Sequence, residues 1–359
     1  MKKILVPTLF LGALLAAQAQ FTPGNLAVEQ IGNGSAALSS AATPIFIDEF
    51  TTAGAPVQTI AITGASALTD TGTGTSDGAL TRSTDGSVLT FAGYFLAAGT
   101  AGVTGSSAPR AVGVVNASGQ YSQAATSSSD FLANNTRSAV SDGNNHWITG
   151  TGTGTSGGLW YSAGGAAPTQ ITTGGGNFRN VNIFNGNLYY STASGTAGIY
   201  AFTGIPTIAA TATLLFATGT GSSPYDFALN AAGNIAYVAD DRSAASGGGI
   251  EKWVFNGTAW TLSYTLALGT TTAGGARQLT VDWSGANPII YATTTETSTN
   301  RLVDIADTGA GAVFNTLATA GANTVFRGVD FAPTPEPSTL ALGGLGLAAI
   351  AFFRRHRKA

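Results

Sequence analysis

Five arginines stand at matching places in five short, similar segments: Thr81-Arg82-Ser83-Thr84, Arg137-Ser138-Ala139-Val140, Phe178-Arg179-Asn180-Val181, Arg277-Gln278-Leu279-Thr280 and Phe326-Arg327-Gly328-Val329. A sixth segment, Pro224-Tyr225-Asp226-Phe227, carries tyrosine at that place. A guanidinium presents its N–H groups in a rigid plane, so several arginines converging on one point would hold a carboxylate or an anionic sugar. A repeated position also serves packing between repeats. In that use each arginine caps a neighbour's carbonyls or pairs with Asp226, Asp282 or Asp330.

Other reactive groups are sparse. His146 is the only histidine outside the C-terminal tail, so Ser-His-Asp catalysis would have to run through it. Its place at the start of a strand beside Trp147 reads as a strand end. With two histidines and no cysteine, metal sites built on several such ligands are excluded. Carboxylates remain: Asp240-Asp241, and Asp70 with Asp77 flanking Thr71-Gly72-Thr73-Gly74-Thr75. Neither has the spacing of a calcium loop, so both read as solvated turn acids; no cofactor is expected, with calcium alone left open. The near-duplicates 71–76 and 151–156 have no lysine and no following helix, which rules out phosphate loops and leaves flexible connections between strands. Catalysis is therefore not expected. A hydrolase or lyase acting on extracellular polysaccharide is the competing reading.

The elements that position the arginines are short strands. Apolar and polar residues alternate throughout, with Gly, Asn, Asp and Ser turns between, and long helical periodicity is missing. Most of the six segments lead into a turn, at Asp85-Gly86, Asp142-Gly143, Asn185-Gly186, Gly233-Asn234 and Ser284-Gly285. A strand with aromatic or branched residues follows, as in Val88-Leu89-Thr90-Phe91, His146-Trp147-Ile148 and Leu188-Tyr189-Tyr190. The cycle repeats every 42 to 55 residues, the span of one four-stranded β-propeller blade.

The cycle beginning at Phe326 has no room for its remaining strands. The N-terminal segments Leu26-Ala27-Val28, Ile45-Phe46-Ile47 and Val57–Ile62 look like three strands lacking a first one. Pairing the two would close a ring and remove open sheet edges. The expected fold is thus all-β, a single β-propeller of six four-stranded blades. Seven is the alternative if the Arg110–Val115 strand forms a short blade of its own.

Residues 20–333 carry nine basic and seventeen acidic side chains, a balance near −8 that disfavours nucleic acid as a partner. Without cysteine, stability must come from a packed core and backbone pairing.

The two ends have a different character. Met1-Lys2-Lys3, an apolar run to Ala17 and the pattern Ala17-Gln18-Ala19 form a secretory signal, with cleavage expected after Ala19 by signal peptidase. At the other end Pro335-Glu336-Pro337 precedes an apolar stretch, Leu340–Phe353, and the basic Arg354-Arg355-His356-Arg357-Lys358. Two prolines around a glutamate keep the tripeptide extended, the apolar stretch reads as a short transmembrane helix, and the basic tail fixes its cytoplasmic side.

This end resembles the PEP-CTERM sorting signal of Gram-negative bacteria. The resemblance implies recognition by an exosortase-like membrane protease, cleavage near the tripeptide, and passage from a transient inner-membrane anchor to the cell surface or extracellular matrix. Exopolysaccharide is the partner expected there. The chain then divides into a signal peptide at 1–19, a propeller at 20–333 and a sorting signal at 334–359.

Overall fold

Short runs rich in branched and aromatic residues, cut by glycine turns, pair their backbone groups in antiparallel ladders between neighbouring strands. The computed structural model describes residues 20–335 apart from 153–154, 174–175, 270–273 and 298. The described residues form twenty-five strands and one 3-10 turn, Ala244–Ser246.

From the N-terminus, β1 (Leu26–Ile31), β2 (Ala42–Phe50) and β3 (Pro56–Ala61) pair in succession. A three-residue strand, β4 (Thr69–Thr71), bridges β2 to the next group, β5 (Leu80–Arg82), β6 (Val88–Tyr94), β7 (Arg110–Asn116) and β8 (Tyr121–Ser127). Four separate four-stranded sheets follow. They are β9 (Thr136–Ser141), β10 (Asn145–Gly150), β11 (Gly158–Ala163) and β12 (Thr169–Thr173); β13 (Phe178–Phe184), β14 (Asn187–Thr192), β15 (Gly198–Ala201) and β16 (Thr213–Ala217); β17 (Pro224–Leu229), β18 (Ile235–Asp240), β19 (Gly249–Phe255) and β20 (Trp260–Leu266); and β21 (Ala276–Asp282), β22 (Ile289–Thr294), β23 (Arg301–Ala306) and β24 (Asn315–Thr319).

The last strand, β25 (Val325–Phe331), pairs with β1, placing Leu26 opposite Phe331 and Val28 opposite Val329. The C-terminal strand therefore completes the N-terminal group, as the missing-strand argument requires. First strands touch in cyclic order, β25 to β5, β9, β13, β17, β21 and back to β25. The Arg110 strand, β7, lies beside β6 with Tyr94 opposite Arg110, so it belongs to the Val88 sheet and not to a separate unit.

Apolar side chains fill the wedges between sheets. Phe216 of β16 stacks on Trp253 and Trp260 of the next sheet, with ring centroids 4.9 Å apart in both pairs. Leu26, Val28 and Phe50 pack with Tyr291, Leu302, Phe326 and Val329, which seals the ring where its ends meet. Burial of each such side chain contributes about 1.5–3 kcal/mol, the main stabilising term in a chain without disulfides.

Two glycine positions are dictated by geometry. Asn185 and Gly186, at φ 49° and 73°, form the two-residue hairpin between β13 and β14 that an Asn-Gly pair favours. Gly328 is pressed against β5: an added methyl would run into the Leu80 backbone nitrogen and sit 2.9 Å from the Gly78 carbonyl. Gly328→Ala should therefore lower stability by about 1–3 kcal/mol, read as a lower urea midpoint with unchanged slope.

Candidate functional site

The first strands start at a common end of the ring, so Arg137, Arg179, Tyr225, Arg277 and Arg327 surround one mouth of its centre. The Arg179 guanidinium lies 3.9 Å over the Tyr225 ring and that of Arg277 lies 5.7 Å from it. Asp241 sits between them, 3.6 Å from Arg179 and 3.9 Å from Arg277. Arg137 donates to the Asn177 side chain and, at 3.3 Å, to the Phe178 carbonyl. Arg327 pairs with Asp77 at 3.2 Å and donates to the Thr71 and Gly72 carbonyls.

Four guanidiniums thus face two carboxylates in a nearly closed space: Arg137 and Arg277 are 8% exposed and Arg327 2%. The Nε atoms of Arg137, Arg179, Arg277 and Arg327 are all buried with no hydrogen-bond partner. Burial pushes the Arg137 and Arg277 guanidiniums below their ordinary range, with Tyr225 opposing it. Excess positive charge and orphaned donors at one point are what an arriving oxyanion would satisfy.

Arg82 differs from the expected pattern. Its backbone N–H donates to Asp330 at 2.6 Å, so it stands level with Asp330, well along the strand from the arginine mouth. Its guanidinium turns to the Gly86 carbonyl at 3.2 Å and the Thr334 hydroxyl at 3.1 Å. Asp77 fills the sixth place at the mouth, from the segment ahead of β5.

That segment, Thr71–Gly78, is one of the two glycine-threonine stretches. It joins β4 to β5, which both pair with β6 in one sheet, and crosses the mouth on the way. Its Thr75 carbonyl accepts a hydrogen bond from the Tyr225 hydroxyl at 3.3 Å, although β17 lies across the ring from β5. Ser76 accepts from Asn135 at 3.2 Å. The other stretch, 151–156, comes between β10 and β11 in the chain, and its residues 153–154 lie outside the described residues.

Behind Arg327 lie two fully buried acids. Burial raises Glu29 to about 8, with Arg327 lowering it and Asp77 raising it further, and neither carboxylate oxygen has a partner. Asp70 is pushed well above the carboxylate range by burial and then by Asp77, with which it shares a hydrogen bond.

The opposite mouth holds a cavity of about 210 Å³ lined by Asn182, Asp226, Thr280, Trp283 and Asp330, among others. Burial raises Asp226 to about 7. It accepts from the Asn180 side chain, from Asn182 at 2.9 Å, and from the Phe227 and Leu279 backbone at 2.8 and 3.1 Å. Asp330 accepts from Arg82 N, Thr280 and Phe331 N. These acids cross-link first strands and do not pair with the mouth arginines. Asp282 caps the Ser284 N–H at 2.8 Å.

The remaining sequence candidates are engaged locally. His146 is buried, and burial lowers its pKa against the pull of Asp142. Ser141 and Ser162 lie opposite it, but Ser162 donates to the Ala166 carbonyl and Ser141 accepts from Gly143 N. The acids weighed for calcium serve arginines instead of standing as solvated turn residues: Asp240 binds Arg242 at 2.9 Å, Asp241 lies between Arg179 and Arg277, and Asp77 holds Arg327.

Thr334 is the last tied residue among the described residues. Its N–H donates to the Gly86 carbonyl at 2.8 Å, and Pro335 beyond it is exposed. The signal peptide with Ala19, and Glu336, Pro337, the apolar stretch, Arg354 and Arg355, lie outside the described residues. Among the described residues no helix is long and apolar enough to cross a membrane.

Comparison with curated proteins finds no match. Among solved structures, the chain is similar to the dihydro-heme d1 dehydrogenase NirN in complex with DHE, at 10% identity and TM-score 0.42 over 85% of this chain, spanning only 56% of that one. It is similar to the β-propeller domain of the Trilobed protease from Pyrococcus furiosus at 11% identity, TM-score 0.41 and 83% coverage of each chain. A protein from Lactobacillus plantarum gives 10% identity, TM-score 0.45 and 82% coverage of each. Residues 333–358 match the PEP-CTERM protein-sorting motif, which implies export and processing by an exosortase-type protease at the membrane. The chain is an all-β, propeller-like protein that carries a PEP-CTERM sorting motif directly after its ring-closing strand.

Proposed function

We propose that this chain is a non-catalytic, six-bladed β-propeller delivered to the cell surface or extracellular matrix, where its arginine mouth binds an acidic polysaccharide. The six-blade reading is supported by the cyclic order of six first strands. One observation carries the ligand class: four guanidiniums meet at one mouth against two carboxylates, each with an unsatisfied, buried Nε. Buried donors of this kind favour an oxyanion over a neutral sugar, because a neutral ligand would leave the excess charge uncompensated. The non-catalytic reading is supported by the hydrogen bonds that already occupy Asp226 and Asp330.

Oligogalacturonate, a carboxylate polymer, is the probe for the full-length chain in detergent, with neutral dextran as control. Calorimetry should show binding that weakens with salt, and Arg137→Gln or Arg277→Gln should each reduce affinity by about tenfold, the loss of one charge-assisted contact. Equal affinity for dextran, or no binding of oligogalacturonate at low salt, would overturn the reading.

A further inference from the structure

We propose that the Thr71–Gly78 segment is a displaceable plug, and that its Asp77 carboxylate holds the place of a ligand carboxylate until a polyanion pushes it out. This rests on the anion-binding reading above and adds how the site opens and which anions open it. The segment spans the ring between strands on opposite sides, touching Tyr225 of β17, Asn135 ahead of β9 and Arg327 of β25. Its outer residues Thr73 and Thr75 are exposed while Asp77 points inward and is buried. A ligand approaching this mouth from solvent therefore meets the segment before it meets the guanidiniums.

The first half of the segment is anchored by backbone, with Gly72 N–H on the Ala41 carbonyl at 3.4 Å and Thr73 N–H on the Ser39 carbonyl at 3.0 Å; beyond Thr73 it is held across the mouth by single hydrogen bonds at 3.2 and 3.3 Å, to Asn135 and Tyr225, and by the ion pair of Asp77 with Arg327 at 3.2 Å. Only one Asp77 oxygen is engaged by Arg327, and the buried Asp70 carboxyl lies beside the Asp77 side chain. Removing Asp77 leaves Arg327 beside Glu29 and Asp70, so the guanidinium is not stranded among apolar groups. Gly78, at φ +83°, gives the backbone a joint next to Asp77.

Exchange of one carboxylate for another is close to neutral in contacts, and a monoanion would compete poorly with a tethered one. A polymer with successive acidic groups also reaches Arg137, Arg179 and Arg277, and that surplus shifts the segment outward. The selected ligand is accordingly a chain of carboxylates and not a single acid.

The test uses the absence of native cysteine. The double variant Ser76→Cys/Asn135→Cys, at a pair whose side chains are 3.2 Å apart, can form one disulfide that fixes the segment across the mouth. In the full-length chain, the reduced form, which has lost the Asn135-to-Ser76 hydrogen bond, should bind oligogalacturonate at least as tightly as wild type. The oxidised form, with bridging confirmed by thiol titration, should bind at least about tenfold more weakly and recover on reduction, as expected when the competent state is depopulated. Undiminished binding by the oxidised form overturns the plug alone; absence of binding by wild type overturns the plug together with the anion reading. As a second measurement, a lone Ser76→Cys thiol should react faster with a maleimide when oligogalacturonate is added. No acceleration on ligand that demonstrably binds also overturns the plug.

Discussion

A chain ending at Asn323 should lose cooperative unfolding, whereas one ending at Thr334 should melt like the full body. The shorter chain lacks β25 and with it the ladder to β1, the packed Phe326 and Val329, and the Arg327 contacts to Asp77, Thr71 and Gly72. Losing one large buried side chain removes about 2–5 kcal/mol, and a whole domain has only about 5–15 kcal/mol in reserve. Removal of the strand also leaves β1 as an open edge and Glu29 and Asp70 without their arginine. Circular dichroism melting of the two chains distinguishes the outcomes: a sharp transition for the shorter chain would mean that the ring does not depend on closure.

Raising the pH from 5 to 9 should destabilise the protein. Burial raises Glu29 to about 8, Asp226 and Glu251 to about 7 and Asp130 to about 6, and it raises Asp70 as well. In the unfolded chain these acids titrate near 4, so between about pH 4 and 8 the folded state holds more protons. Their contribution is complete below the unfolded pKa and is lost as pH rises through the folded values. At the acid end Asp307 works the other way: burial opposes ionisation, but bonds from Lys252, Tyr237 and Tyr264 outweigh it and hold the pKa low, so its contribution is lost as pH falls through that value. The melting temperature should peak near pH 5 and fall by on the order of 5–10 °C by pH 9. Glu29→Gln should flatten this slope and raise the melting temperature at pH 8–9. A melting temperature constant from pH 5 to 9 would contradict the assignment of neutral buried acids.

The ring and its closure are legible in the sequence because both follow from counting. Turn signals and alternation mark each strand, and a first strand without followers at one end matches followers without a first strand at the other. Four of the five arginines could be placed because each opens a strand at least six residues long. Arg82 could not, since β5 has only three residues and the local pattern Thr-Arg-Ser-Thr does not show which residue is level with Arg137. Ala79, whose N–H donates to the Arg137 carbonyl, occupies that level.

The acids around Arg327 were hidden for a different reason. Glu29, Asp70 and Asp77 come from β1, β4 and the segment before β5, and they meet only when β25 pairs with β1. Asp241 likewise looked like a solvated turn residue. It follows the last residue of β18, and only the docking of neighbouring sheets brings Arg179 and Arg277 to it.

The bond between Thr334 and Gly86 gives the molecule a direction. β25 runs from Arg327 toward Phe331, so the chain leaves the ring at the end opposite the arginines and is fastened there before Pro335. Whatever grips the sorting motif thus holds the body upright, with the cationic mouth turned away from the point of attachment. The acidic polymer proposed above as ligand would then meet that mouth from the side away from the sorting motif.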